Sequence, residues 1–114
     1  MKLHKKFNHD LPDIYYYGET SEIPLRINVG RFESDYVSVD KLHYLKTRTT
    51  YFCVIEGSIV FEVNGKEVTI TSDAALEVEP KEVYKILRIG SEGCTYFVVG
   101  SHNNASTDKV VIED

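Results

Sequence analysis

Apolar and polar residues alternate along this chain with the period of a β-strand, and nowhere do they sustain the period of a helix. Residues 25–29 read Leu-Arg-Ile-Asn-Val, the apolar-polar alternation of a half-buried strand. Residues 36–45 read as a second, longer strand. Residues 51–55, Tyr-Phe-Cys-Val-Ile, are apolar throughout, which predicts a strand covered on both faces.

The sharpest local signal follows. Ile59, Phe61 and Val63 alternate with Val60 and Glu62, Asn64-Gly65 intervenes, and Val68 and Ile70 then alternate with Glu67 and Thr69. A type I′ turn needs positive φ at both central positions, which Asn and Gly tolerate best, so a hairpin is predicted here. Leu76 and Val78 alternate with Glu77 and Glu79 up to Pro80, which ends the strand by removing a backbone donor. Strands are predicted over 83–89 and 94–99, with Gly90-Ser91-Glu92-Gly93 as the turn between them. Residues 101–108 are polar and loop-like, and 109–113 add a short edge strand or fray. About nine short strands in one chain point to an all-β barrel, closed or nearly so, that hides its own sheet edges.

Composition narrows this reading. A chain of 114 residues suits one domain, with residues 1–13 as an N-terminal arm, 14–100 as the barrel and 101–114 as a loop with a possible edge strand. A formal net charge of -5 and the lack of a basic cluster argue against a nucleic-acid partner. No apolar run approaches the roughly 20 residues that cross a bilayer, so no membrane partner is expected. Residues 1–10 are basic without a following apolar stretch, unlike a secretory signal, and the expected location is cytoplasmic. Cys53 and Cys94 lie in apolar strand segments far apart and read as buried small hydrophobes. The run Tyr15-Tyr16-Tyr17 suits an arm strand packed across the barrel or a homodimer contact.

The order of these features resembles the cupin superfamily, whose fold is a double-stranded β-helix, or jelly-roll barrel. An apolar strand (51–55) meets Glu56-Gly57, an alternating hairpin follows, and Ser72-Asp73, a short strand over 75–78 and Pro80 stand where the family's second motif has a turn, strand and proline. The resemblance covers residues 42–100. It implies that metal ligands should stand at two His positions and a Glu position before Gly57, and at a His position after Pro80. Here the Glu position falls on Thr50. The His pair falls on Tyr44 and Lys46, or on His43 and Leu45 in the alternative register. The last position falls on Lys85, beside Tyr84. Lysine is protonated at neutral pH and has no lone pair to offer, so no metal and no other cofactor is expected.

The resemblance therefore implies a pocket without the family's usual ligands. Its candidate ligand-binding residues are Tyr44, Lys46, Thr50, Phe61, Lys85, Tyr84 and His43. Two lysines in one small cavity would repel each other and favour an anionic ligand, unless Glu77 or Glu79 compensates them. Both lysines could instead lie outside the barrel with their stems along its surface. Three functions follow. The first is a metal-free protein binding a small metabolite, anionic or sugar-derived, in the barrel. The second is a metal-independent isomerase or epimerase acting on a sugar or sugar nucleotide, with His43 and Tyr44 or Tyr84 as acid and base. The third is an interaction domain whose barrel is plugged by Phe52, Phe61 and Phe97. A cavity holding a His within reach of a Tyr favours the second over a plain binder.

Overall fold

The computed structural model describes residues 1–8, 14–17, 24–102 and 108–113. The parts of the expected arm at 9–13 and of the expected loop at 103–107 lie outside the described residues. Among the described residues nine strands form one curled sheet: β1 (Lys6–Asn8), β2 (Ile14–Tyr17), β3 (Arg26–Phe32), β4 (His43–Leu45), β5 (Thr50–Val63), β6 (Lys66–Ile70), β7 (Leu76–Val78), β8 (Tyr84–Gly100) and β9 (Lys109–Val111). Among the described residues no helix is long and apolar enough to cross a membrane.

β8 is the spine. Its C-terminal half lies between β3 and β5, with Arg26 and Thr50 both opposite Gly100, Asn28 and Phe52 both opposite Val98, and Gly30 and Val54 both opposite Tyr96. Directly opposed residues point to the same face of a sheet. These nine positions therefore form the concave face. Along its length β5 also pairs with β6 and β7, and β4 pairs with both β8 and β9. The core that results is built from Ile14, Phe32, Val54, Ile59, Phe61, Ile70, Val78, Tyr84, Ile89, Cys94, Tyr96 and Val98.

The hairpin forms as the sequence predicts. Asn64 and Gly65 have φ of 51° and 84°, and the Asn64 side chain accepts from the Val83 amide and donates to Glu82. Other elements differ from expectation. The stretch 36–45 is strand only over β4. Upstream, Ser38 Oγ donates to the Ile86 carbonyl and Asp40 Oδ2 accepts from the Ile86 amide, so side chains take the ladder bonds a strand would have made. Residues 51–55 are not covered on both faces, since Tyr51 and Ile55 lie exposed on the convex side.

Glu56-Gly57 does not end a strand either. β5 runs through it as a bulge, with Ile55 left between the pairs Val54–Tyr96 and Glu56–Thr95. The two strands expected over 83–89 and 94–99 are one continuous β8. Gly90–Gly93 is taken up where the pairing slips from Gly57–Cys94 to Ile59–Ile89. Cys94 is fully buried, as a small hydrophobe should be, whereas Cys53 is half-buried on the convex face.

Candidate functional site

The concave face encloses a cavity of about 420 Å³. Its apolar lining includes Phe32, Phe52, Val54, Ile59, Phe61, Ile86 and Val98. Polar side chains enter at several points around that lining.

One polar group is His43, Tyr84 and Asp40. His43 is buried in β4, directly opposite Tyr84 of β8, and their ring centroids are 4.3 Å apart. The Lys41 carbonyl lies 2.7 Å from His43 Nδ1. A carbonyl has no proton to give, so Nδ1 donates, and in the neutral ring Nε2 keeps the lone pair. Among the described residues Nε2 makes no hydrogen bond. Burial lowers the imidazole pKa below its ordinary value; the Lys41 bond and the Asp40 carboxylate, 3.7 Å from Nδ1, oppose this only in part. Burial also pushes the Tyr84 phenol up to about 12, so it keeps its proton across the physiological range. The wall thus carries a neutral base beside a protonated phenol.

A second polar group is Arg48, Arg26, Asn28 and Thr50. Arg48 is 4% exposed, and its position is set by Asp108. That carboxylate accepts from the Thr47 and Arg48 amides at 3.0 and 3.1 Å and from Thr47 Oγ1 at 2.5 Å. Burial alone would raise the Asp108 pKa, but these bonds outweigh it and hold the carboxyl below its usual range. Burial, and then the nearby charge of Arg26, lower the Arg48 pKa.

The residues singled out by sequence divide cleanly. His43, Thr50, Phe61 and Tyr84 line the cavity, while Tyr44, Lys46 and Lys85 do not. The register is the one in which His43 and Leu45 face inward, both buried, with Tyr44 turned away between them. Leu45 and Thr50 are both inward although they stand five positions apart, an odd step that would put them on opposite faces of an unbroken strand. The turn at Lys46–Thr49 breaks the alternation that would have carried Tyr44 and Lys46 inside with Thr50. On β8, Tyr84 and Ile86 face in, so Lys85 faces out, where its ammonium meets Glu113 at 2.9 Å. Sequence reasoning missed Arg26, Asn28, Asp40, Arg48 and the positioning Asp108. Arg26 and Asn28 had a signal, the polar half of the 25–29 alternation. On β3 it is that polar half that turns toward the cavity.

No family model matches the chain, and no curated protein does. Solved structures match closely in shape. A variant of Streptomyces PAC13 with uridine superposes with a TM-score of 0.68 at 16% identity, over 99% of this chain and 90% of that one. A cupin protein from Bacteroides fragilis gives 0.65 at 12%, over 100% and 96%. The cupin domain of Schizosaccharomyces pombe Cnp3 gives 0.59 at 18%, over 82% and 67%. The fold is that of the cupins, the double-stranded β-helix.

The metal that this fold commonly carries does not suit these residues. In the observed register the ligand positions hold His43, Leu45, Thr50 and, facing the cavity after Pro80, Tyr84. That set offers one imidazole, a hydrocarbon, a neutral hydroxyl and a phenol held protonated, too few donors to grip a divalent cation. Among the described residues no three His, Cys, Asp or Glu side chains gather into a metal site.

Proposed function

We propose that this cupin-fold chain binds a small polar metabolite inside its barrel without the help of a metal. The observation that carries this reading is the 420 Å³ cavity itself, apolar along most of its wall with a few converging polar groups. That size and lining are those of small-molecule sites, which run from about 300 to 1,000 Å³. Phe52 and Phe61 line the cavity without filling it, and Phe97 is exposed on the convex face, so the plugged-barrel alternative finds no support. The Streptomyces neighbours with uridine add a ligand type worth including in any screen.

A second reading, a metal-independent enzyme acting on a sugar or nucleoside derivative, is favoured by one specific arrangement. His43 presents a neutral Nε2 as base and Tyr84 a protonated hydroxyl as acid, on adjoining strands of one wall. Proton abstraction and return at neighbouring substrate atoms need such a pair within hydrogen-bond reach.

A thermal-shift screen over nucleosides, nucleotides, sugar phosphates and organic acids tests the binding reading, because a ligand specific to the folded state raises the melting temperature. The expected result is a saturable rise with one chemical class, abolished by Val98→Phe, which fills the cavity floor. A flat response across the panel, or a rise that Val98→Phe leaves intact, would refute the reading.

A further inference from the structure

Two strands and a turn bring three polar side chains to one point at the end of the cavity. Arg26 on β3 and Thr50 on β5 are both cross-strand partners of Gly100 on β8, so their side chains rise from the same face on either side of it. Arg48 reaches the same spot from the turn before β5. A Cβ built on Gly100 would lie 2.6 Å from Arg48 Cδ and 3.2 Å from Arg26 Cβ. The bare backbone of Gly100 is the floor across which the Arg48 side chain passes.

Two of the polar atoms gathered there are not used by the described residues. Arg48 Nε and Thr50 Oγ1 are buried, and neither has a hydrogen-bond partner among the described residues. A buried donor without a partner destabilises the fold, so a ligand that pairs it gains what the protein alone forgoes. The Arg26 guanidinium lies over the Tyr16 ring, 4.5 Å from its centroid.

The charge around the cavity is also one-sided. Arg26, Arg48 and Lys109 line it against a single carboxylate, Asp40, in a chain whose net charge is -5. Asp40 is already engaged, by the Ile86 and Lys41 amides and by proximity to His43. No salt bridge to Arg26 or Arg48 forms among the described residues.

We propose that the Gly100 end of the cavity is an oxyanion subsite, in which Arg48, Arg26 and Thr50 hold the carboxylate or phosphate of a small-molecule ligand. The proposal rests on the small-molecule reading above and adds the chemical class of the ligand. A guanidinium offers a fixed fork of N–H donors that matches a carboxylate or phosphate edge, and the Thr50 hydroxyl supplies a further donor.

The test follows the arginine Nε–Hε signals by 1H–15N NMR at constant ionic strength, with inorganic phosphate, acetate, chloride and the uncharged nucleoside uridine as probes. The Arg48 Nε–Hε signal moves saturably with phosphate or acetate but not with chloride, and whichever acts at lower concentration identifies the anion class. Arg48→Met weakens that binding by at least about tenfold, as loss of a charge-assisted pair requires. Arg48→Lys, which keeps the charge without the fork, recovers only part of it. Should Arg48→Met fail to fold, Gly100→Ala, which pushes Arg48 off its path, gives the same loss. Uridine shifting the Val98 and Thr50 amides while phosphate and acetate leave Arg48 unmoved would overturn the oxyanion subsite and keep the small-molecule reading. Silence from all probes would count against both, and anion binding indifferent to Arg48→Met and Gly100→Ala would overturn the subsite alone.

Discussion

His43 and Tyr84 are cross-strand partners with ring centroids 4.3 Å apart and planes inclined at 53°, so the base and the phenol of the cavity are held against each other by the sheet ladder itself. Neither ring can turn far without losing the other. The Lys41 carbonyl then fixes which imidazole nitrogen carries the proton.

This burial makes His43 a pH-sensitive part of the fold. Its folded pKa lies below the unfolded value of 6.5, so the unfolded chain binds the proton more readily. Stability is complete above about pH 6.5, declines as pH falls through that value, and levels out below the folded pKa. Urea unfolding at pH 7.5 and 5.5 should show wild-type protein losing stability across this interval and His43→Gln losing distinctly less. Equal losses would contradict the account. The lowered carboxyls of Asp108 and Glu113 do not interfere, because their contributions fade only as pH falls below their unfolded values of 3.8 and 4.5.

Two glycines with the same φ of 84° should respond very differently to alanine. At Gly65 a Cβ meets nothing within 4 Å, so Gly65→Ala costs only the left-handed backbone, about 1–2 kcal/mol. At Gly57 the Cβ would overlap the Gly93 carbonyl oxygen and approach Cys94 Cα at 3.2 Å, adding a backbone clash inside the β5–β8 ladder. Gly57→Ala should lower the denaturant midpoint far more than Gly65→Ala, and comparable midpoints would show that the bulge yields.

Asp108 fastens the turn that delivers Arg48. Asp108→Ala strands the Thr47 and Arg48 amides and should cost about 1–3 kcal/mol by chemical denaturation. A loss below about 0.5 kcal/mol, the range of ordinary surface substitutions, would mean the turn holds without it.

Thr50 is an expensive residue to keep in an empty barrel. Its buried hydroxyl has no partner among the described residues, so the near-isosteric Thr50→Val should stabilise the ligand-free protein by about 1 kcal/mol while weakening ligand binding. A destabilised Thr50→Val protein would show that the hydroxyl is paired after all.

Much of the fold is written in local chemistry. Asn64-Gly65 names its own turn, and Ile59, Phe61 and Val63 name the strand before it. The cavity wall is harder to read, since it depends on parity across breaks that periodicity cannot count. The turn at Lys46–Thr49 resets the alternation between Leu45 and Thr50, sending Lys46 outward and Arg48 inward. Asp108 finds its partners some sixty residues away in sequence, and no spacing rule reaches that far. Arg26 and Asn28 carried a visible alternation, but alternation alone does not say which half turns inward.

Chemical-shift mapping places a ligand directly. Titrating 15N-labelled protein with the compound that gives the largest thermal shift should perturb Asn28, Thr50, Tyr84, Tyr96 and Val98, whose side chains share the hollow face, and leave Tyr51, Ile55 and Phe97 on the opposite side unmoved. Perturbations centred on Tyr51, Ile55 and Phe97 instead would contradict an interior site.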